Sequence, residues 1–413
     1  MSDTVNRAPR RTIGGGLEHS GRILHLVVVN AFVGAMVGIE RTVLPLLAEA
    51  EFGVASASAA LAFIATFGVT KALTNLFAGA LSERTGRRPL LLAGWLVGLP
   101  VPFLLIHAPT WSWILWANVL LGLNQALTWS MTVVMKVDLA TPRTYGLVIG
   151  WNEFAGYAGM ALAAAATGFV GATWGLRPAP FQLGIAVAAL GLLLSLFARE
   201  TRPPRGPSGH VDPDGGASAR PGFLPILARG SWTDPALSSA SLAGLVTNLK
   251  DGALWGLLPL LLAGRGLPVV RIGWVVAVYP MVWAVSQLVF GPASDRYGRR
   301  GMITAGLALQ ATGVAGFVAG TSWGAALAAA SVTGLGTGMV YPTLLAFVSD
   351  RSEPAWRATA LGVYRLWRDL GYAAGALTAG LIADAMGVNA ALSGVVALLG
   401  GGALLFLVRV RHG

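Results

Sequence analysis

Gly79-Ala-Leu-Ser-Glu83-Arg84-Thr-Gly86-Arg87-Arg88 and Gly291-Pro-Ala-Ser-Asp295-Arg296-Tyr-Gly298-Arg299-Arg300 are one phrase written twice, 212 positions apart in a chain of 413 residues. Each copy closes a long apolar segment. Each sets a carboxylate before Arg, then Gly, then two Arg. The offset is half the chain, so the second half repeats the first, which is how secondary transporters are built. Two further pairs keep nearly the same offset. Leu44-Pro45-Leu46-Leu47 returns as Leu258-Pro259-Leu260-Leu261, and Gly156-Tyr157-Ala158 returns as Gly371-Tyr372-Ala373.

Composition points the same way. The chain is 55% hydrophobic and 11% charged, whereas a soluble chain carries about 25% charge. There is no Cys, which removes disulfides and thiolate metal sites. A net charge of +11 would by itself suggest a nucleic-acid partner. The cations instead sit in the connections between apolar runs, so topology accounts for them and no nucleic acid is expected. The polar start leads straight into a full-length apolar run, so no cleavable signal peptide is expected.

A spanning helix needs about 20 mostly apolar residues. Reading for such runs predicts an all-α membrane protein of twelve spans. The first half offers Leu24–Ala48, Ser58–Leu81, Pro89–Ile106, Ser112–Met135, Tyr145–Val170 and Pro180–Ala198. The second offers Ala236–Ala263, Val270–Gly291, Met302–Ala319, Ala325–Val348, Ala358–Ala383 and Asn389–Val408. Residues 1–198 and 235–413 read as two pseudo-symmetric six-helix bundles. Residues 199–234, rich in Pro, Gly, Ser and Arg, read as a linker with little structure. With both termini cytoplasmic, most of the 29 Lys and Arg fall inside, and the outer loops hold only Arg177, Arg265 and Arg271.

The doubled phrase resembles the loop signature of the major facilitator superfamily, G-x-L-x-D-R-x-G-R-R/K, found between the second and third helices with a fainter copy between the eighth and ninth. Here Glu83 replaces the usual Asp, and Pro292 and Ala293 depart in the second copy. The resemblance implies a twelve-helix transporter working by alternating access, and extends to its drug/proton antiporter-like efflux members. It implies that Gly79, Glu83, Arg84, Gly86, Arg87 and Arg88 form a cytoplasmic gate motif, with Gly291, Asp295, Arg296, Gly298, Arg299 and Arg300 as the mirrored set. Glu83 is then expected to meet the amino-terminal end of the eleventh helix, where the dipole favours an anion. Asp295 and Arg296 are expected to do the same against the fifth.

Nine ionisable residues fall inside the spans: Glu40, Arg41, Lys71, Glu153, Lys250, Asp251, Arg365, Arg368 and Asp369. Each costs about 2.5–3.5 kcal/mol at the bilayer centre, so nine unpaired would cost on the order of 25 kcal/mol. They must pair or face water. None falls in spans three, six, nine or twelve, which face lipid in the resembled family. Arg365, Arg368, Asp369 and Tyr372 share one helical stripe, which allows an Arg365–Asp369 pair along the helix. Repeat alignment sets Glu153 opposite Arg368, a possible bridge or pair of gates. With five cations against four anions, the balance favours an anionic or zwitterionic small molecule as cargo. No His lies mid-span, so a proton relay would rest on Glu40, Glu153, Asp251 or Asp369.

Antiporters of the resembled family carry R-x-x-x-G in the fourth span. Here the stretch is Asn118-Val-Leu-Leu-Gly122, so Asn118 replaces the Arg. Their fifth-span Pro is also missing from Gly156-Tyr-Ala-Gly159. No catalytic set or Walker phosphate loop competes with transport. The expected function is therefore proton-coupled efflux of a small molecule by a monomer in a cell membrane, without enzymatic activity or cofactor. A proton-coupled uptake symporter for an organic anion and a non-transporting membrane sensor are the alternatives.

Overall fold

A computed structural model of the chain describes residues 14–141, 144–202, 222–353 and 356–410. Among them, regular structure is helical throughout. Span 1 is α1 (Gly14–Arg41) continued by α2 (Leu44–Ala50). Span 2 is α3 (Ala57–Thr85), and span 3 is α4 (Arg87–Gly98) with α5 (Pro100–His107). Spans 4, 5 and 6 are α6 (Trp111–Leu139), α7 (Tyr145–Trp174) and α8 (Ala179–Leu196). Spans 7 to 9 are α10 (Pro235–Gly264), α11 (Val269–Tyr297) and α12 (Arg299–Ala319). Spans 10 to 12 are α13 (Trp323–Asp350), α14 (Arg357–Met386) and α15 (Val388–Arg409). Helices satisfy most mid-span backbone groups within the segment, as hydrocarbon requires.

Among the described residues, nine of the helical stretches are apolar and long enough to cross a membrane. Spans 4, 7 and 11 are just as long, at 29, 30 and 30 residues, but more polar. Span 4 carries Asn118, Asn124 and Gln125, span 7 carries Lys250 and Asp251, and span 11 carries Arg365, Arg368 and Asp369. Their polar faces turn into the protein, where neighbouring helices replace lipid.

Most of the expected linker, residues 203–221, lies outside the described residues. Its distal part is more ordered than its composition suggests. It holds α9 (Phe223–Ala228) and one π-helical turn (Arg229–Thr233), with Ile226 buried and Trp367 donating to Ser231 Oγ at 2.9 Å. Burying Ile226 offsets the ordering cost that a Pro- and Gly-rich segment alone cannot meet.

The sequence repeat recurs as a repeat of hydrogen bonds. Ser82 Oγ donates to Gly79 O at 2.7 Å, and Ser294 Oγ to Gly291 O at 2.8 Å. Trp111 Nε1 donates to Ala59 O at 2.9 Å, and Trp323 Nε1 to Arg271 O at 3.2 Å. Arg87 pairs with Asp138, and Arg299 with Asp350.

Spans 1 and 5 pack together in the first half, and spans 7 and 11 in the second. Between halves, span 2 lies along span 11 and span 5 along span 8. Spans 3, 6, 9 and 12 pack within their own halves. At the face opposite the Arg-rich phrases the halves are clasped. Asp384, in the last turn of span 11, caps the amino-terminal end of span 2. It accepts from Ala57 N at 2.6 Å, Ser58 N at 3.1 Å, Ser56 Oγ at 2.8 Å and Ser58 Oγ at 2.5 Å. On the same face Gly168 of span 5 meets Gly273 of span 8 backbone to backbone, an approach that a side chain on either residue would block.

Candidate functional site

The two phrases act first as staples within their own halves. Gly86 and Gly298 turn the chain at φ +99° and +88°, where other residues are strained. Behind Gly86, Glu200 accepts from the backbone N–H of Arg87 and Arg88, both at 3.1 Å, and so caps span 3. Partial burial pushes the Glu200 carboxyl up, but N–H groups of Arg202, Arg87, Arg88 and Thr201 outweigh it and hold it below the usual range. Arg87 reaches Asp138 at 3.2 Å and Ser82 O at 3.1 Å, and Arg88 reaches Leu196 O at 3.0 Å. In the second copy Arg299 pairs with Asp350 and Asp295, and Arg300 reaches Leu407 O.

The expected contact of Glu83 with span 11 is not made in this state. Glu83 is exposed and forms no hydrogen bond or ion pair with the described residues. Asp295 turns to Arg299 at 2.9 Å in its own half rather than to span 5, and Arg296 lies over the Tyr297 ring at 5.6 Å. Arg84 is exposed. The reason is the clasp. The halves are joined at the opposite face, where Asp384 makes the anion-to-helix-end contact expected of Glu83.

Mid-membrane charges gather into two ion-paired clusters. Lys250 Nζ meets Asp251 Oδ1 at 2.9 Å, the Tyr279 hydroxyl at 2.6 Å and Thr337 Oγ1 at 2.8 Å. Tyr279 donates to the same Asp251 oxygen. All this lies in spans 7, 8 and 10. Arg368 donates to Asp369 Oδ1 through Nε at 2.9 Å and a terminal nitrogen at 2.7 Å. Asn75 of span 2 donates to the other oxygen at 2.7 Å, and Ser130 of span 4 donates to Asn75 at 3.0 Å. The expected Arg365–Asp369 pair is absent, because the adjacent Arg368 already donates twice to one carboxylate oxygen and Asn75 takes the other. Arg365 is half-buried without an ion pair among the described residues.

Glu153 does not bridge to Arg368. It is half-buried and accepts from Trp129 Nε1 and Asn152 Nδ2, both at 2.9 Å. Lys71, also half-buried, has three aromatic neighbours and no hydrogen bond or ion pair to the described residues. Its Nζ lies 5.3 Å from the Tyr372 centroid, 5.5 Å from Phe67 and 5.7 Å from Trp129. Deeper, Arg41 stacks on Trp255 of the other half at 4.2 Å, with Phe67 at 5.2 Å and Phe63 at 5.9 Å. Among the described residues, nothing hydrogen-bonds to the buried Glu40 carboxylate or Arg41 guanidinium, and Asn118, beside Glu40, donates to Ile114 O. Tyr157 of span 5 stacks on Trp283 of span 8 at 3.6 Å, sealing the halves together.

A family model described as Major Facilitator Superfamily matches residues 26–247 and 240–413. The chain belongs to the major facilitator superfamily. An uncharacterized MFS-type transporter of Salmonella typhimurium is 27% identical over 389 residues, 90% of this chain and 93% of that one. The class C tetracycline resistance protein of Escherichia coli is 26% identical over 254 residues, 60% of this chain and 61% of the other. Among solved structures, an inward-facing, unoccupied bacterial homolog of the human lysosomal transporter Spinster superposes with a TM-score of 0.74 at 16% identity. That match covers 95% and 96% of the two chains and speaks to the fold. As a major facilitator superfamily member, this twelve-span protein is a membrane transporter and not an enzyme.

Several residues of this transporter's polar framework lie outside the sequence windows, among them Asp384 of the clasp, one position beyond the predicted eleventh span. Lys136, one position beyond the predicted fourth span, is fully buried with its Nζ on Leu26 O at 3.0 Å. Asp138, Glu200 and Asp350 are partners of the phrase arginines. The 212-residue offset shared by Asp138 and Asp350 was the available signal for two of them.

Proposed function

We propose that this protein exports a small molecule in exchange for protons, as a monomer in a cell membrane, by rocking its two halves about a midplane site. The Arg-rich face is read as cytoplasmic from the bias of loop cations, which places both termini inside. The face clasped by Asp384 is then the outer one. The likeness to a tetracycline resistance protein supports export over uptake.

Proton coupling rests on Glu153. Asp251 and Asp369 are each locked to an adjacent cation. Glu153 instead receives neutral donors and is half-buried. It can take up or release a proton without breaking a salt bridge. Flux in proteoliposomes with an imposed pH gradient tests this, using a ligand found by thermal-shift screening. Glu153→Gln should abolish uphill movement while exchange of labelled for unlabelled ligand persists at saturating ligand concentration. Uphill flux unchanged in Glu153→Gln refutes the coupling role. Ligand moving in the same direction as protons makes the protein a symporter.

A further inference from the structure

Once the two ion-paired clusters and the fully buried Glu40 and Arg41 are set aside, Lys71, Glu153 and Arg365 remain as half-buried charges, and the first two, of opposite sign, both contact one indole. Trp129 lies 5.7 Å from Lys71 Nζ by its ring centroid and donates its N–H to Glu153 at 2.9 Å. Neither residue has an ion-pair partner among the described residues, and they do not pair with each other. The rings beside Lys71 come from spans 2, 4 and 11, so Lys71 sits where the two halves meet. Trp129 itself is half-buried, with Tyr157 against its ring at 5.3 Å.

A purely anionic cargo at Lys71 would sit in the field of the Glu153 carboxylate, and a purely cationic one at Glu153 in the field of Lys71. Both charges act within this low-dielectric space, where such repulsion is strong. A molecule carrying both charges satisfies both residues. Aromatic walls add stacking, which favours a flat ring. We infer that the cargo is an aromatic zwitterion, with its carboxylate on Lys71, its ammonium on Glu153 and its ring against Trp129. This inference rests on reading the midplane as the cargo site, but it does not depend on proton coupling.

The test is calorimetric binding to the purified full-length protein in detergent, with no gradient present. The probes are tryptophan, tryptamine and indole-3-acetate, which share a ring and differ in charge. Wild type should bind tryptophan about tenfold or more tightly than either of the others, the scale of one charge-assisted hydrogen bond. Lys71→Met keeps the aliphatic stem and should erase the preference for tryptophan over tryptamine, while Lys71→Arg retains it. Glu153→Gln should erase the preference over indole-3-acetate. Thermal unfolding of each variant verifies that it is folded. Equal affinity of wild type for all three probes, failure of folded wild type to bind tryptophan, or unchanged preferences in both folded variants overturns the inference. Tryptophan that binds as expected but is not moved under any gradient refutes proton-coupled export of it and leaves the two-charge binding site standing.

Discussion

Asn75 on span 2 donates to Asp369 on span 11 at 2.7 Å, tying the halves together at mid-depth through the oxygen that Arg368 leaves open. Asp369 therefore serves two partners. Asp369→Asn should lower stability by about 3–5 kcal/mol, because it strands the buried Arg368. Asn75→Ala should cost only about 1 kcal/mol. The double replacement Arg368→Met with Asp369→Leu should be more stable than Asp369→Asn alone. Thermal unfolding in detergent measures all three, and a double variant less stable than the single would show that the pair stabilises the fold in its own right.

The phrase arginines should differ in strength despite their symmetry. The Arg87–Asp138 pair is the more enclosed, with side chains 12% and 17% exposed against 21% and 57% for Arg299–Asp350. Exposed pairs contribute about 0–1 kcal/mol. Arg87→Ala should therefore destabilise more than Arg299→Ala, and the two effects should add, since they lie in separate halves. Denaturation of the two singles and the double provides the check.

Glu200 gives the Arg-rich face a pH dependence. Its carboxyl is held below its usual value in the fold by four backbone N–H groups, against partial burial. A lowered folded value means that its stabilisation is present above the unfolded pKa, about 4.3, and is lost as pH falls through the lower folded value. Unfolding curves should show no Glu200 contribution to pH dependence between neutrality and about pH 5. Below that, wild type should lose stability relative to Glu200→Gln, and parallel curves down to pH 3 would count against the cap.

Much of this organisation is legible in the sequence. The doubled phrase and its offset give two halves, and apolar runs give twelve spans, including spans 4, 7 and 11, whose polar residues place them at the centre. The pairing of charges is not legible there. Helical spacing allows Arg365 to reach Asp369, yet adjacent Arg368 takes it, because the rotamer depends on Asn75 and Tyr341 from other helices. Glu83 illustrates a different limit. Its expected partner lies in the other half, and in the described state the halves are clasped at the opposite face.

The clasp at the opposite face should be separable from the fold. Asp384→Ala removes the acceptor for Ala57, Ser56 and Ser58. Leu61, fully buried beside Gly256 of the other half, should then become reachable from that face. The chain has no Cys, so Leu61→Cys introduces a single thiol. Maleimide should modify it several-fold faster when Asp384→Ala is also present. Equal rates would mean that the apolar contacts hold this face shut without the clasp.

Alternating access is tested most directly by spin-label distances between spans 2 and 11, measured at both faces in nanodiscs. Cysteine pairs placed at the two ends of these spans supply the labels in this Cys-free chain. Rocking halves should give two populations at each face, with a short distance at one face accompanying a long distance at the other. Ligand or a change of pH should shift both faces in opposite senses. A single distance at each face, unmoved by ligand and pH, would contradict transport by rocking and favour a static membrane receptor.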